Sequence, residues 1–336
     1  MKSNNRYLAV FGSLAMLVSG NALAEQDSVR IVKTPGFSAL PVLVMEHDKL
    51  FEKHLEKRGL EGVTVEWQRI SGGALVNDAV LAGNVDIASG GIGPLATIWS
   101  KTKGTALEVK GIGGVTSQPI NLNCRNPEIK SITDLNDSEK IALPAVKVSI
   151  QAVMLQMASA QEHGMDDYTK YDRYTVSMPS ADAIPTLLSG TGAITCHMAA
   201  EPHHTIEVSS QKVHTVFNTY EVLGGPHNIS LAYTTSRFRE ENPNIYGAYV
   251  DALKEAQQYV TSNKKRASEI YVSMNKEALT APEIEALLDN ENIIFDITPL
   301  GTAKTVNFMN QTGALDAKIE SWRDMFFPEV HSLNGN

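Results

Sequence analysis

In the first third of the chain, segments with the apolar periodicity of strands alternate with segments that have the periodicity of helices. Short runs that are apolar or alternate with polar residues are bounded by turn-forming residues, which is typical of strands, and longer stretches repeat leucine and valine at helical spacing. The pattern predicts strands over 28–33, 63–67, 85–89 and near 107–112, and helices over 40–55 and 75–81. Strands that alternate with helices in this way indicate an α/β unit with a mostly parallel sheet.

The alternation restarts after a break at residues 116–119 and stops at a second break at 224–226. Between the breaks the pattern predicts strands over 141–143, 174–178 and 193–198, with helices over 149–161 and 182–188. After the second break a strand is expected over 229–233, followed by largely helical sequence from about residue 243. The sequence therefore predicts two α/β units.

The first 24 residues have the three-part pattern of a secretory signal peptide. Lys2 and Arg6 precede an apolar run at 7–18, and Ala22-Leu23-Ala24 forms a small-residue cleavage site. The apolar run is shorter than the roughly 20 residues that span a bilayer. We expect cleavage after Ala24 and a protein that diffuses freely in the periplasm, without a lipid anchor, because no cysteine lies near that site.

Composition narrows the functional class. Removal of residues 1–24 takes two of the 29 basic residues and none of the 38 acidic ones, so the net charge changes from -9 to -11. An acidic chain without a long basic cluster argues against nucleic acid as a partner, because phosphates require a basic surface. The remaining length and the 43% content of hydrophobic residues are sufficient for two domains, and we expect a monomer.

Four loops follow predicted strands and are rich in glycine and serine. In open α/β sheets, ligands bind beyond the carboxyl ends of the strands, where helix N-termini present free N–H groups. Each loop taken singly is also explained by ordinary turn and cap chemistry. The loop residues are Gly36, Phe37 and Ser38; Ser71, Gly72 and Gly73; Gly91, Ile92 and Gly93; and Lys147, Val148 and Ser149. No dinucleotide or phosphate-loop motif is present, and we expect no cofactor.

Several stretches resemble the solute-binding proteins of bacterial ABC importers in the nitrate, sulfonate and taurine family. The most specific is SGGALVNDAVLAGNVDIASGGIGPLATIWSKTKG, in which a helix is followed by A-G-N-V-D and a glycine-rich loop. PEIKSITDLNDSEKIALP, the Glu201-Pro202 pair and ITPLGTAKTVNFMNQTGAL near the C-terminus resemble the same family. The resemblance covers nearly the whole chain after residue 24.

The resemblance implies a type II periplasmic binding protein fold. In this fold two lobes, each a mostly parallel sheet flanked by helices, are joined by two hinge crossings and close on a small molecule. Lobe one is expected to consist of residues 25–116 plus 229–336, and lobe two of residues 117–228.

Particular residues acquire expected roles in that cleft. Lys147 would supply a cation for an anionic ligand, and Phe37 would stack on the ligand, although each has an ordinary alternative as a surface lysine or a core aromatic residue. Glu201 would accept hydrogen bonds from an amine or hydroxyl group. Gln118 and His227 lie at the two predicted crossings, where they could face the cleft.

Two further features concern histidine and cysteine. Imidazole and carboxylate groups are common zinc ligands. The spacing of the candidates matches neither H-E-x-x-H nor a zinc-finger pattern, which favours structural or exposed histidines. The candidates are His197, Glu201, His203, His204, His214 and His227. The two cysteines, Cys124 and Cys196, would lie on neighbouring strands of lobe two in the fold that the resemblance implies. A disulfide between them is therefore plausible in an oxidising compartment.

The sequence favours a binding protein that delivers a small anionic or polar organic solute to the permease of an ABC importer. No nucleophile with a partner base is recognisable from residue spacing, so we expect no enzymatic activity. The alternatives are an enzyme related to pyrimidine-precursor synthesis, which depends on a cysteine-rich motif, and a binding protein that docks on a sensor receptor. Sulfonates, taurine, nitrate, aromatic acids and thiamine-precursor pyrimidines all remain open as ligands.

Overall fold

A computed structural model describes residues 25–34, 36–70, 72–147, 149–275 and 279–336. The predicted signal peptide lies outside the described residues. Within the described ranges, ten strands form two five-stranded sheets: β1 (Ser28–Lys33), β2 (Thr64–Arg69), β3 (Ile87–Gly90), β4 (Val109–Ser117), β5 (Asn121–Cys124), β6 (Ile141–Leu143), β7 (Thr175–Ser177), β8 (Cys196–Ala199), β9 (His214–Asn218) and β10 (Asn228–Thr235).

Helices cover the faces of both sheets, as an α/β fold requires. They are α1 (Leu40–His47), α2 (Leu50–Glu56), α3 (Gly73–Leu81), α4 (Ile92–Thr102), α5 (Ile150–His163), α6 (Ser180–Ser189), α7 (His203–Ser209), α8 (Thr219–Leu223), α9 (Ser236–Glu241), α10 (Pro243–Ser262), α11 (Lys264–Met274), α12 (Ala281–Leu287) and α13 (Thr302–Gln311). None of the described helices is both long enough and apolar enough to cross a membrane.

The two sheets have the same topology. The first has the order β2-β1-β3-β10-β4 and the second the order β7-β6-β8-β5-β9. In each sheet four strands share one direction, while β10 in the first sheet and β5 in the second run against their neighbours. The sheets are therefore mixed, and the strands that reverse are those that directly follow the passage of the chain between lobes. The predicted lobe boundaries agree with this division but stay a prediction.

Some elements predicted from the sequence agree with the structure, and others differ from it. Strand β1 has the predicted bounds, whereas the predicted helix over 40–55 is two helices. Lys49 adopts a left-handed conformation (φ 52°) between them, so the chain turns before α2 begins. Strand β9 was not predicted.

The core of lobe one lies between the first sheet and helices α1, α2 and α10. Val29, Ile31 and Val32 are fully buried, so consecutive side chains on both faces of β1 are covered, as is usual for a central strand of a parallel sheet. The rings of Phe51 on α2 and Tyr249 on α10 meet edge to face at 5.8 Å. This contact joins α2 to α10.

The hinge consists of the two segments that pass between the lobes, residues 117–120 and 224–228. Ser117 and Asn228 are paired across β4 and β10, and the Asn228 amide donates to the Ser117 hydroxyl at 2.8 Å. Ser117 also exchanges two backbone hydrogen bonds of 2.8 Å with Ile294. A Cβ on Gly114 would lie 2.6 Å from the Asn228 amide nitrogen, so the close approach of these strands requires glycine there.

The hinge also fixes which edges of the two sheets face each other. Strand β4 ends at Ser117, so the carboxyl edge of the first sheet lies at the hinge. Strand β5 begins just after the hinge and runs antiparallel to β8, with Asn121 opposite Ala199. The carboxyl ends of β6, β7 and β8 therefore also lie on the hinge side, and the two sets of loops flank one cleft.

A disulfide joins the two strands at the centre of lobe two. Cys124 on β5 and Cys196 on β8 are directly opposite each other in the sheet, and their sulfur atoms are bonded. Both side chains are fully buried. The disulfide therefore links β5, the strand that enters lobe two, to β8, whose carboxyl end lies at the cleft.

The double variant Cys124→Ala/Cys196→Ala should be less stable than the wild type. A disulfide that closes a segment of 72 residues restricts the unfolded chain, so its loss should lower the free energy of unfolding by about 2–4 kcal/mol. Urea unfolding followed by circular dichroism measures this difference, and the wild type under reducing conditions should behave like the variant. Equal midpoints for the variant and the oxidised wild type would contradict the prediction.

Candidate functional site

Three of the predicted loops lie side by side along the carboxyl edge of the first sheet. They follow β2, β1 and β3, which are neighbours in the sheet and run parallel. Gly36 (φ 95°) turns the chain after β1, in a conformation that disfavours side chains. The carbonyl oxygen of Ser38 accepts a 2.8 Å hydrogen bond from the hydroxyl of Thr116, which ties this loop to β4 beside the hinge.

The loops after β2 and β3 are in direct contact. Gly72 (φ 95°) precedes α3, and a Cβ on Gly73 would lie 2.7 Å from Cβ of Pro94 at the start of α4. Gly91 caps α4 and is partly exposed, whereas Ile92 and Gly93 are buried in its first turn. The glycines thus let two helix N-termini approach the same edge, and Ser71 lies outside the described residues.

The side chain of Phe37 lies in the core of lobe one. Its side chain is 1% exposed, and its ring packs edge to face against Tyr271 (5.7 Å) and Phe295 (6.2 Å). An aromatic residue after a buried strand gains more from these apolar contacts than from water. The ring supports the loop from inside lobe one.

The loop after β6 brings the predicted cation to the cleft edge of lobe two. Lys147 is exposed and has a left-handed backbone conformation (φ 66°). Ser149 is the N-cap of α5, and its hydroxyl accepts a 3.2 Å hydrogen bond from the Ala152 N–H group. Burial raises the pKa of the nearby Asp172 carboxyl, and the charge of Lys147 partly opposes that rise. Val148 lies outside the described residues.

Glu201 lines a cavity of about 380 Å³ beside the hinge. The Glu201 side chain is largely buried, and one carboxylate oxygen accepts a 3.2 Å hydrogen bond from the Thr205 N–H group. The wall contains no Lys or Arg; its other members are Pro119, Asn121, His204, Asn218, Tyr220, Glu221, Asn290 and Asn292. Of these residues the sequence analysis named Glu201 and His204. It did not name Asn218, which is the N-cap of α8, a position that its residue type favours.

Gln118 and His227 are hinge residues whose side chains are 1% exposed. His227 Nε2 lies 2.7 Å from the hydroxyl of Thr219, which also accepts a 2.9 Å hydrogen bond from the Ile120 N–H group. The imidazole therefore links the two crossing segments and does not line the open cleft. Burial lowers the pKa of His227 to about 4, because the charged ring would lose its hydration.

His197 and His214 have different partners in lobe two. His197 is fully buried beside Glu207, and His214 lies 2.7 Å from the carbonyl oxygen of Ile129. Within the described residues, no cluster of three or more His, Cys, Asp or Glu side chains has the arrangement of a metal site.

Comparison with known proteins identifies the family. The profile described as the NMT1-like family matches residues 22–273, which is well over half of the chain. The chain belongs to the NMT1-like family. No curated protein sequence matches this NMT1-like chain significantly.

Solved structures share the fold of this NMT1-like protein at low sequence identity. The periplasmic aliphatic sulphonate binding protein SsuA from Escherichia coli has a TM-score of 0.69 and 18% identity, covering 93% of this chain and 95% of that one. The alkanesulfonate-binding protein SsuA from Xanthomonas axonopodis, bound to MOPS, has a TM-score of 0.67 and 15% identity (90% and 98% covered). The periplasmic nitrate-binding protein NrtA from Synechocystis has a TM-score of 0.66 and 13% identity, covering 88% of this chain and 84% of that one. The two-lobe periplasmic binding protein fold is thereby confirmed.

The buried imidazole of His227 should make the stability of the NMT1-like fold depend on pH. The unfolded chain takes up this proton near pH 6.5, but the folded chain only near pH 4. The contribution of His227 to the free energy of unfolding is therefore fully present above pH 6.5. It decreases by about 3 kcal/mol as the pH falls towards 4.

Urea unfolding at pH 7.5, 5.5 and 4.5 measures this effect. The variant His227→Gln, which has no titrating ring, should show a smaller loss of stability over the same range, whatever its stability at pH 7.5. An equal loss in the two proteins would show that His227 does not cause it.

Proposed function

We propose that this protein is a periplasmic solute-binding protein that captures a small anionic or polar organic solute between its lobes and delivers it to an ABC importer. The observation that carries the proposal is the arrangement of the sheets: the carboxyl edges of both lie on the hinge side. Loops and helix N-termini on both edges can therefore contact one ligand at the same time. Ligand contacts with both lobes stabilise the closed arrangement, which is the requirement for hinge closure on binding.

Lobe one would contribute mainly backbone groups. Gly36, Gly72 and Gly91 lie at the starts of short helical segments along one edge and leave the main chain accessible. Free N–H groups at helix N-termini stabilise anionic or strongly polar ligand groups without a formal positive charge. An acidic protein can therefore bind an anion in this cleft.

Lobe two would contribute side chains. Lys147 is an exposed cation next to the N-terminus of α5, where an anionic ligand group would be stabilised. The cavity at Glu201 has carboxylate and amide groups and no Lys or Arg in its wall, so it favours hydroxyl or amine groups. The same edge thus supplies recognition for both an anionic group and a hydrogen-bond donor.

Location and delivery are inferred from similar proteins. The sulfonate- and nitrate-binding proteins that share this fold are described as periplasmic, and residues 1–24 have the pattern of a cleaved signal peptide. Such a protein meets its solute outside the inner membrane and passes it to a permease. The alternative enzyme requires a cysteine-rich motif, whereas both cysteines here are buried in one disulfide.

Thermal-shift screening tests the proposal. Alkanesulfonates, taurine, nitrate, aromatic acids and pyrimidines should be compared, because a solute that binds the folded state must raise the unfolding temperature. At least one class should do so, and titration calorimetry should then give its dissociation constant. Failure of every class to shift the unfolding temperature would contradict the proposed function.

For an anionic solute found in this way, Lys147→Ala should weaken binding. Loss of a hydrogen bond to a charged group costs about 1.5–3 kcal/mol, which corresponds to a roughly 10- to 100-fold higher dissociation constant. The matched control is Lys101→Ala, which removes an exposed lysine from the end of α4 away from the cleft. Equal affinities for Lys147→Ala and the control would exclude Lys147 from the site.

A further inference from the structure

Three side chains of lobe two form a hydrogen-bonded chain that solute binding does not require. The hydroxyl oxygen of Ser180 lies 3.3 Å from Nε2 of His197. Nδ1 of the same ring lies 2.5 Å from a carboxylate oxygen of Glu207. Serine, histidine and a carboxylate in this order are the arrangement that activates a serine for nucleophilic attack, on many unrelated folds.

The histidine and the carboxylate are held in fixed positions. The side chains of His197 and Glu207 are both 0% exposed. The second carboxylate oxygen of Glu207 accepts a 2.8 Å hydrogen bond from the amide of Asn123, whose own oxygen accepts from Thr215 at 3.0 Å. Since a carboxylate only accepts hydrogen bonds, Nδ1 of His197 carries the hydrogen. In the neutral ring, Nε2 is then free to accept the proton of Ser180.

The serine lies where a ligand can reach it. Ser180 is partly exposed and is the first residue of α6, directly after β7. Strand β7 pairs in parallel with β6, and the Ser177 hydroxyl donates to the carbonyl oxygen of Pro144 at 3.2 Å. Ser180 is therefore on the same cleft edge as the loop that contains Lys147. In the first turn of α6 the N–H groups of Asp182 and Ala183 donate to the carbonyl oxygen of Pro179. Those of Ser180 and Ala181 are therefore the ones that can stabilise negative charge that develops nearby.

A second hydroxyl–imidazole pair in the protein shows why this one is different. Thr219 and His227 are 2.7 Å apart, but both are buried in the hinge, at 0% and 1% exposure. The other nitrogen of His227 lies 3.4 Å from a backbone carbonyl oxygen and not beside a carboxylate. In lobe two, by contrast, the accessible hydroxyl of Ser180 is combined with a buried base, His197, and a buried carboxylate, Glu207.

We propose that Ser180 is a nucleophilic serine that reacts with small activated esters entering the cleft. Its oxygen attacks the carbonyl carbon while His197 takes the hydroxyl proton; the bond to the leaving alcohol then breaks, and His197 returns the proton to that alcohol. Water attacks the resulting acyl-serine with His197 as base, which releases the acid and restores Ser180. Glu207 is a positioning residue that stabilises the protonated ring.

Labelling with a fluorophosphonate tests the proposal on the purified full chain. Ser180 attacks the phosphorus atom, fluoride leaves, and the proton passes through His197 to solvent. Intact-mass measurement should show one phosphonyl adduct, and peptide mapping should place it on Ser180. Ser180→Ala should abolish the adduct, and Glu207→Gln should slow labelling by at least about tenfold.

The matched control is Ser177→Ala, because Ser177 is an exposed serine on the same edge whose hydroxyl donates to the carbonyl oxygen of Pro144. It should label at the wild-type rate, and hydrolysis of p-nitrophenyl acetate should follow the same order among the variants. Circular dichroism establishes that each variant is folded. Absence of an adduct on the folded wild type, an adduct on another residue, or equal ester hydrolysis by Ser180→Ala and the wild type would overturn the proposal.

Discussion

The pairing of Ser117 with Asn228 at the hinge is the contact on which the rest of the architecture depends. It joins the end of β4 to the start of β10, so the chain leaves and re-enters lobe one at one place. Because these polar side chains are buried, each must be satisfied within the protein, and the Asn228 amide and the Ser117 hydroxyl satisfy each other. The direction of β5 follows from this geometry, and with it the edge of lobe two that faces the cleft.

The hinge also explains how a neutral histidine is accommodated between the two lobes. His227 connects the crossing segments through Thr219, and its burial keeps the imidazole uncharged at neutral pH. An uncharged donor–acceptor pair tolerates burial at much lower cost than an ion would. The side-chain hydrogen bonds of Ser117, Asn228, Thr219 and His227 at the hinge are thus made between neutral groups.

The sequence predicted the parts of the fold that depend on local pattern. Strand β1 and the break near residue 117 follow from periodicity, but the turn at Lys49 depends on a left-handed residue that composition does not reveal. The choice between a core and a ligand-stacking role for Phe37 could not be made from the sequence, because its burial comes from Tyr271 and Phe295, more than two hundred residues away. The chain of Ser180, His197 and Glu207 has no motif spacing, since β8 and two helices bring it together only in the folded lobe.

In the proposed function, the two lobes would contribute different kinds of groups to ligand recognition. Lobe one presents glycines and helix N-termini, which in the proposed function would bind polar groups through the backbone and discriminate little between them. Lobe two presents Lys147, Glu201 and Ser180, whose side chains differ in charge and reactivity. Backbone groups can retain their geometry when the sequence changes, whereas side chains change with each substitution. Selectivity for the solute, and any chemistry performed on it, should therefore be determined mainly by lobe two.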